Sequence, residues 1–269
     1  MYKFSDRLIL GCCNLSANKT KSKAVEILNY AKNLGFKFFD TAPLYSKGYS
    51  ELLIGEAFKN NNYIKVTSKV GYYAIPKIFL PSSIALPLNG IKNNLKFRNN
   101  KKPKKNSAKS KKILFNNNHF IEQVKNTRKN LRDLLIDGIL FHEINPFKLN
   151  NNKVDELNIY LNNLNIHKLG YAGTFQKEFT DINIPNWMKI LQMELPIGLN
   201  GVNELEILKL IDNNKDKEFR FYNIFKEKDL IKKRMKGAKK ILNDFPNTKI
   251  IFQTKSFERL KNNFLFFSS

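Results

Sequence analysis

The stretch GFKFFDTAPLYSKGYSELLIGEAF, Gly35 to Phe58, joins the end of one helix to a strand, and that strand to a second helix. Before it, Ala24, Ile27, Leu28, Ala31 and Leu34 recur at helical spacing, and Gly35 stands where a helix C-cap needs a left-handed backbone. Residues 36–40 read as a strand that is apolar until it ends on Asp40. A loop carrying Tyr45 follows, and Ser50-Glu51 opens a helix over residues 52–58. A strand that leads into a helix rather than a hairpin belongs to a parallel sheet. An acid at the mouth of an apolar strand, with a phenol just beyond it, calls for a chemical reason.

The same alternation extends in both directions. Residues 8–13, 64–69, 137–142, 167–172, 188–193, 220–225 and 248–252 read as strands. Ile121, Val124, Arg128, Leu131 and Leu135 trace a helix face, and residues 154–164, 230–242 and 256–264 read as further helices. About eight strand–helix pairs in 269 residues predict a single-domain (β/α)8 TIM barrel, with a doubly wound open sheet as the alternative. The run NNLKFRNNKKPKKNSAKSKK, Asn93 to Lys112, has no apolar period and reads as a solvated basic loop within an insertion at about 72–115.

Composition narrows the function. The net charge is +24, from 47 Lys and Arg against 23 Asp and Glu. That balance invites an anionic partner, but the basic residues are scattered along a chain rich in Lys, Asn, Ile and Phe. The one dense basic run lacks interleaved aromatics apart from Phe97, which argues against a nucleic-acid stacking surface. No apolar run reaches the length of a membrane span, and MYKFSDRLILGCC lacks a secretory core, so the expectation is a cytoplasmic protein with no membrane partner. Cys12 and Cys13 are adjacent and read as reduced thiols, with no second pair for a metal site.

In a barrel of this kind, reactive side chains sit at the C-terminal ends of strands or in the loops just after them. The second expected strand ends on Asp40 with Tyr45 in its loop, the third on Lys69, and the fourth on His142. Each alone has an ordinary structural reading, as a cap, a packed ring, one lysine among many, or a core imidazole. Four ionisable groups at three successive strand ends make a shared rim the better reading.

These segments resemble the aldo-keto reductase family. The 35–58 stretch matches the family's signature around its active-site aspartate and tyrosine. IKVTSKVG (64–71) resembles its lysine strand, and LRDLLIDGILFHEINP (131–146) the segment ending on its histidine. The resemblance implies Tyr45 as proton donor, Lys69 as its tuner, Asp40 as the lysine's partner and His142 as the group that orients the substrate. It also implies a nicotinamide cofactor, NADP ahead of NAD. Gly11 and Cys12 in LGCCN would lie near it with Asp40, and Gln192 in KILQMEL would contact the nicotinamide. In IIFQTKSFERLKNNF, Thr254, Lys255 and Arg259 would meet the phosphate end, and Asn262 and Asn263 the adenine. Two departures stand out. Gln253 occupies a place where many relatives carry a cation, and Ala172-Gly173 a place where many carry Ser-Asn.

The chemistry gives these residue types a common purpose. Reducing a carbonyl needs a hydride on carbon and a proton on oxygen. A phenol is a reluctant acid, which a nearby ammonium is expected to make stronger; the ammonium in turn needs a counter-charge in a dry pocket. The expected partner is therefore a small carbonyl substrate, an aldehyde or ketone of the sugar or small-aldehyde type. A barrel with weakened cofactor binding, serving as a binding or regulatory protein for an anionic partner, is the alternative left open by the two departures. Phe39, Tyr49, Tyr72 and Tyr73 are candidates for an aromatic wall, with core packing the alternative for Phe39.

Overall fold

The computed structural model describes residues 4–15, 20–73, 111–112, 116–175, 178–181, 183–197, 204–226, 228–254 and 256–268. Its strands, in chain order, are β1 (Leu8–Gly11), β2 (Phe38–Asp40), β3 (Lys65–Val70), the short pair β4 (Tyr72–Tyr73) and β5 (Lys111–Lys112), then β6 (Leu135–His142), β7 (Leu169–Ala172), β8 (Met188–Glu194), β9 (Glu218–Tyr222) and β10 (Thr248–Phe252). Eight of them close into a parallel barrel in the order β1-β10-β9-β8-β7-β6-β3-β2. The closed order settles the choice between barrel and open sheet.

Between the strands run α1 (Lys21–Leu34), α2 (Ser50–Ala57), α3 (Asn117–Leu131), α4 (Asn151–Asn163), α5 (Glu178–Asp181), α6 (Glu204–Asn213), α7 (Ile231–Asp244) and α8 (Phe257–Ser268). Local sequence sets their ends. The Thr20 side chain accepts from the Lys23 N–H to cap α1, and Gly35 at φ 111° ends that helix. Asn116 and Asn150 cap α3 and α4 in the same way.

The apolar stripes of the helices pack on the outer face of the barrel. Phe36, just before β2, shows how. Its ring lies 5.4 Å from that of Phe252 on β10 and 5.0 Å from that of Phe264 on α8, tying the last strand and last helix to the start of the second strand. Each such buried ring stabilises the fold by roughly 1.5–3 kcal/mol over an exposed one.

The strands β1, β2 and β7 are shorter than the sequence expectation, and two other strands differ for physical reasons. β9 runs over Glu218–Tyr222 rather than 220–225, because Glu218 pairs with Arg220 within the strand, and β6 begins at Leu135, which the sequence placed on a helix face, because α3 already ends at Leu131. α6 is not among the helices expected from the sequence, although Ile207, Leu210 and Ile211 form its buried stripe. The insertion is rooted by an antiparallel ladder, Tyr72 opposite Lys112 and Tyr73 opposite Lys111; residues 74–110 and 113–115 lie outside the described residues. Phe39 and Tyr49 are core residues, not wall, and Phe39 packs 4.7 Å from Phe58.

Candidate functional site

The rim at the C-terminal ends of the strands is built by register. Gly11 on β1, Asp40 on β2 and Thr67 on β3 lie side by side, and Lys69 stands two residues further along β3 on the same face. Lys69 is 1% exposed and Asp40 3% exposed. The Lys69 ammonium donates to both Asp40 carboxylate oxygens at 2.7 Å and to the Thr41 carbonyl at 2.9 Å. Three donors thus meet three acceptors, and the buried charge is balanced.

The loop after β2 brings Tyr45 over this pair. Ser46 and Lys47 adopt φ of 54° and 59°, and Gly48 follows at 93°. Two non-glycine residues in the left-handed region strain the loop, and the Ser46 N–H bond to the Cys13 carbonyl at 3.3 Å helps hold it there. As a result the Lys69 Nζ stands 4.6 Å from the centre of the Tyr45 ring. His142, the last residue of β6, meets the same ring edge-on, with centroids 6.1 Å apart and planes at 87°. The structure therefore brings Asp40, Tyr45, Lys69 and His142 together at one rim.

Electrostatics refine the expectation. The ammonium is committed to Asp40 and Thr41 and faces the Tyr45 ring. Burial, then the Asp40 charge, push the phenol well above its ordinary range. Burial lowers the Lys69 ammonium despite the pull of Asp40. Burial, then the Lys69 charge, bring His142 down to about 3, so its imidazole is neutral near pH 7.

The residues expected around a cofactor divide into groups. Gln192 on β8 lies in the row of His142 and Ala172 and is 3% exposed. Its side-chain oxygen is buried with no hydrogen-bond partner among the described residues. An orphaned buried acceptor at this rim fits a ligand amide, so the site suits the carboxamide of a nicotinamide. Gly11 reaches the rim beside Asp40. Cys12 does not offer its side chain: it is 0% exposed, its thiol points to the Leu10 carbonyl, and burial first raises its pKa.

Thr254 uses its hydroxyl to accept from the Ser256 N–H at 3.1 Å, at the entrance to α8. Arg259 and Asn262 are exposed on α8 and Asn263 is half-buried; Lys255 lies outside the described residues. Among the described residues no contact joins this group to Tyr45. The departures also have local causes. Gln253 accepts from the Asn14 side chain at 3.3 Å and also meets the Cys13 thiol, closing the loop after β1 onto β10. A Cβ at Gly173 would run into the Tyr171 hydroxyl, which donates to the Thr174 carbonyl.

One rim residue was missed in the sequence. Tyr222 ends β9, and its hydroxyl donates to the Gly173 carbonyl at 3.1 Å. Burial, then the Glu143 and Glu194 charges, raise its pKa. Its signal was available, an aromatic ending the strand EFRFY, the same position that singled out Asp40 and His142. Among the described residues no group of three His, Cys, Asp or Glu is arranged to hold a metal, and no helix is long and apolar enough to cross a membrane.

Comparison with known proteins agrees with this architecture. The profile described as Aldo/keto reductase family matches residues 7–165. The uncharacterized oxidoreductase YqkF of Bacillus subtilis (strain 168) is 40% identical over 63 residues, a stretch covering 23% of this chain and 20% of that protein. An aldo-keto reductase from Bacillus halodurans in its holo form superposes with a TM-score of 0.68 at 15% identity, covering 98% of this chain and 87% of that one. An aldo/keto reductase from Klebsiella pneumoniae, in complex with NADP and acetate, gives a TM-score of 0.63 at 14% identity, covering 97% and 85%. At such identities the superpositions speak to the barrel alone, whereas the profile covers well over half of the sequence, so the chain belongs to the aldo/keto reductase family, a family of NAD(P)-dependent oxidoreductases.

Proposed function

We propose that the protein reduces the carbonyl of a small aldehyde or ketone, a sugar or short aldehyde among them, with Tyr45 as the proton donor. The observation that carries this reading is the meeting of Tyr45, Lys69, Asp40 and His142 at one rim. Bound NAD(P)H would supply the hydride, and Gln192 would hold its carboxamide through the orphaned side-chain oxygen.

The chain's own groups account for the rest. Neutral His142 donates a hydrogen bond to the substrate carbonyl oxygen and holds it against the Tyr45 hydroxyl. As negative charge grows on that oxygen, the neighbouring ammonium of Lys69 stabilises it. The phenol then gives up its proton. Its raised pKa is no obstacle, because an alkoxide is a far stronger base than any phenolate. Asp40 keeps Lys69 charged and pointed at the ring while the site is dry. Arg259 on α8, with Lys255, favours a cofactor carrying the extra phosphate of NADP.

The test is a panel of aldehydes, sugars and ketones with NADPH and with NADH, followed by loss of cofactor absorbance. Saturable, carbonyl-dependent oxidation of NADPH supports the proposal. No turnover with any carbonyl, in protein shown by calorimetry to bind NADPH, would overturn the catalytic reading.

A further inference from the structure

The opposite end of the barrel carries a second concentration of chemistry that the rim does not use. Arg220 is fully buried, and its guanidinium spans the barrel interior, donating to Thr67 on β3, Asp137 on β6 and Glu218 on β9. Lys168, at the foot of β7, bonds Asp137 and Glu218 at 3.2 Å each. Lys249 on β10 lies 3.4 Å from Glu218, and its ammonium stands 3.5 Å from the centre of the Phe38 ring. This interior cluster holds three cations, Arg220, Lys168 and Lys249, against two carboxylates, Asp137 and Glu218. It is short of one negative charge, with Lys168 about a third exposed to water and the other four groups largely buried.

A cavity of about 470 Å³ opens onto that cluster at the N-terminal ends of β7 to β10. Five lysines, Lys168, Lys189, Lys215, Lys217 and Lys249, line it with two acids, Asp216 and Glu218. Lys217 has a buried side chain whose acidic partner, Asp216 at 3.0 Å, is largely in water. Lys215 is paired outward with Asp212, on the exposed face. The lysines therefore converge on a concave surface whose own acids do not cancel them.

We propose that this foot of the barrel binds a small multivalent oxyanion, phosphate-like in charge and size, through Lys168, Lys189, Lys217 and Lys249. The anion supplies the charge that the interior cluster lacks, at the end of the barrel opposite Tyr45. A compact oxyanion suits the site better than a nucleic-acid strand, because the lysines surround a pocket and do not form a line across the surface.

The proposal carries a pH signature. Lys249 is faced by Glu218 and Arg220 of β9, Asp137 of β6, Lys168 before β7, the Phe38 ring of β2 and, across that ring, Lys65 of β3. Burial brings its ammonium down to about 8 in spite of Glu218. An added anion favours the protonated form. Affinity is therefore full below about pH 8 and falls as pH rises through it, with proton uptake on binding in that range.

The experiment uses the full chain, with thermal unfolding and calorimetry at fixed ionic strength and chloride as the balancing salt. Sulfate is the main probe, because it does not titrate in this range; inorganic phosphate and glycerol 3-phosphate are the other arms. The expected result is saturable stabilisation by sulfate. It weakens at least tenfold in the exposed double variant Lys189→Glu/Lys215→Glu and persists in the equally charge-changed double variant Lys125→Glu/Lys129→Glu on α3. Tighter binding of glycerol 3-phosphate than of phosphate also supports the site and points to a phosphate ester as its ligand. Stabilisation that chloride matches, that both variants share, or that only duplex DNA produces would overturn the proposal.

Discussion

Tyr45 and His142 show what single residues contribute. His142 shares the site with a lysine 1% exposed and is itself half-buried, so its proton is lost early, at about 3. Folded-state depression of an imidazole means that it is essentially neutral from about pH 5 upward. Proton NMR of His142 is therefore expected to show the neutral ring unchanged between about pH 5 and 8, and kcat/KM to lack a limb from this residue there. A His142 titration centred near 6.5, the ordinary imidazole value, would contradict the arrangement described. The residue types were legible at the strand ends. Their protonation states were not, because these depend on burial and on distances between segments far apart in the chain. Lys69 illustrates the point. The sequence names an ammonium near the phenol, but only the folded chain shows its donors committed to Asp40 and Thr41 and its charge over the Tyr45 ring.

At the scale of elements, the helix that follows Tyr45 is fixed by a buried acid. Glu51, in the first turn of α2, is 1% exposed. It accepts from Ser68 on β3 at 2.6 Å and from Thr127 and Asn130 on α3 at 2.8 and 2.9 Å. One carboxylate thus sews α2 to β3 and α3, and a carboxylate in the first turn also suits the helix dipole. Glu51→Ala strands three buried or half-buried polar partners and is expected to cost about 2–4 kcal/mol in urea unfolding. A loss below about 0.5 kcal/mol would show that α2 is held by apolar packing alone. Gly55 on the same helix has a matching reason: a Cβ there would strike the Asn130 backbone carbonyl where α2 crosses α3. The start of α2 was legible from Ser50-Glu51, and the apolar strands from their composition. The extent of β6 and β9 was not, because Leu135 also fits the period of the preceding helix face and Glu218 reads as a surface residue until the folded strand sets it against Arg220. α6 was readable from its stripe of Ile207, Leu210 and Ile211, but short acidic and amide-rich stretches on both sides mask it.

The whole molecule is a barrel with chemistry at both ends and charge through its middle. Burial alone pushes the Asp137 carboxyl up, but Arg220, Lys168 and Lys249 together hold it down to about 2. A carboxyl depressed on folding gives stability that is present above its unfolded value of 3.8 and is lost as pH falls through about 2. The contribution is about 2 kcal/mol. Urea unfolding of the wild type is expected to lose that much more between pH 4 and 2 than unfolding of Asp137→Asn; parallel acid profiles would show that the interior network does not act through Asp137. The barrel itself was legible because alternation survives any detail of boundary, and the rim because strand ends are positions that sequence can name. What joins the two, the ammonium, phenol, carboxylate and imidazole within one contact network, exists only after closure. The direct test of that convergence as a catalytic site is Tyr45→Phe, which removes one hydroxyl and keeps the ring over Lys69. With a carbonyl that the wild type reduces, turnover is expected to fall by about 10²–10⁴-fold while calorimetric NADPH affinity stays nearly unchanged. Turnover within about threefold of wild type would contradict the assignment of Tyr45 as proton donor.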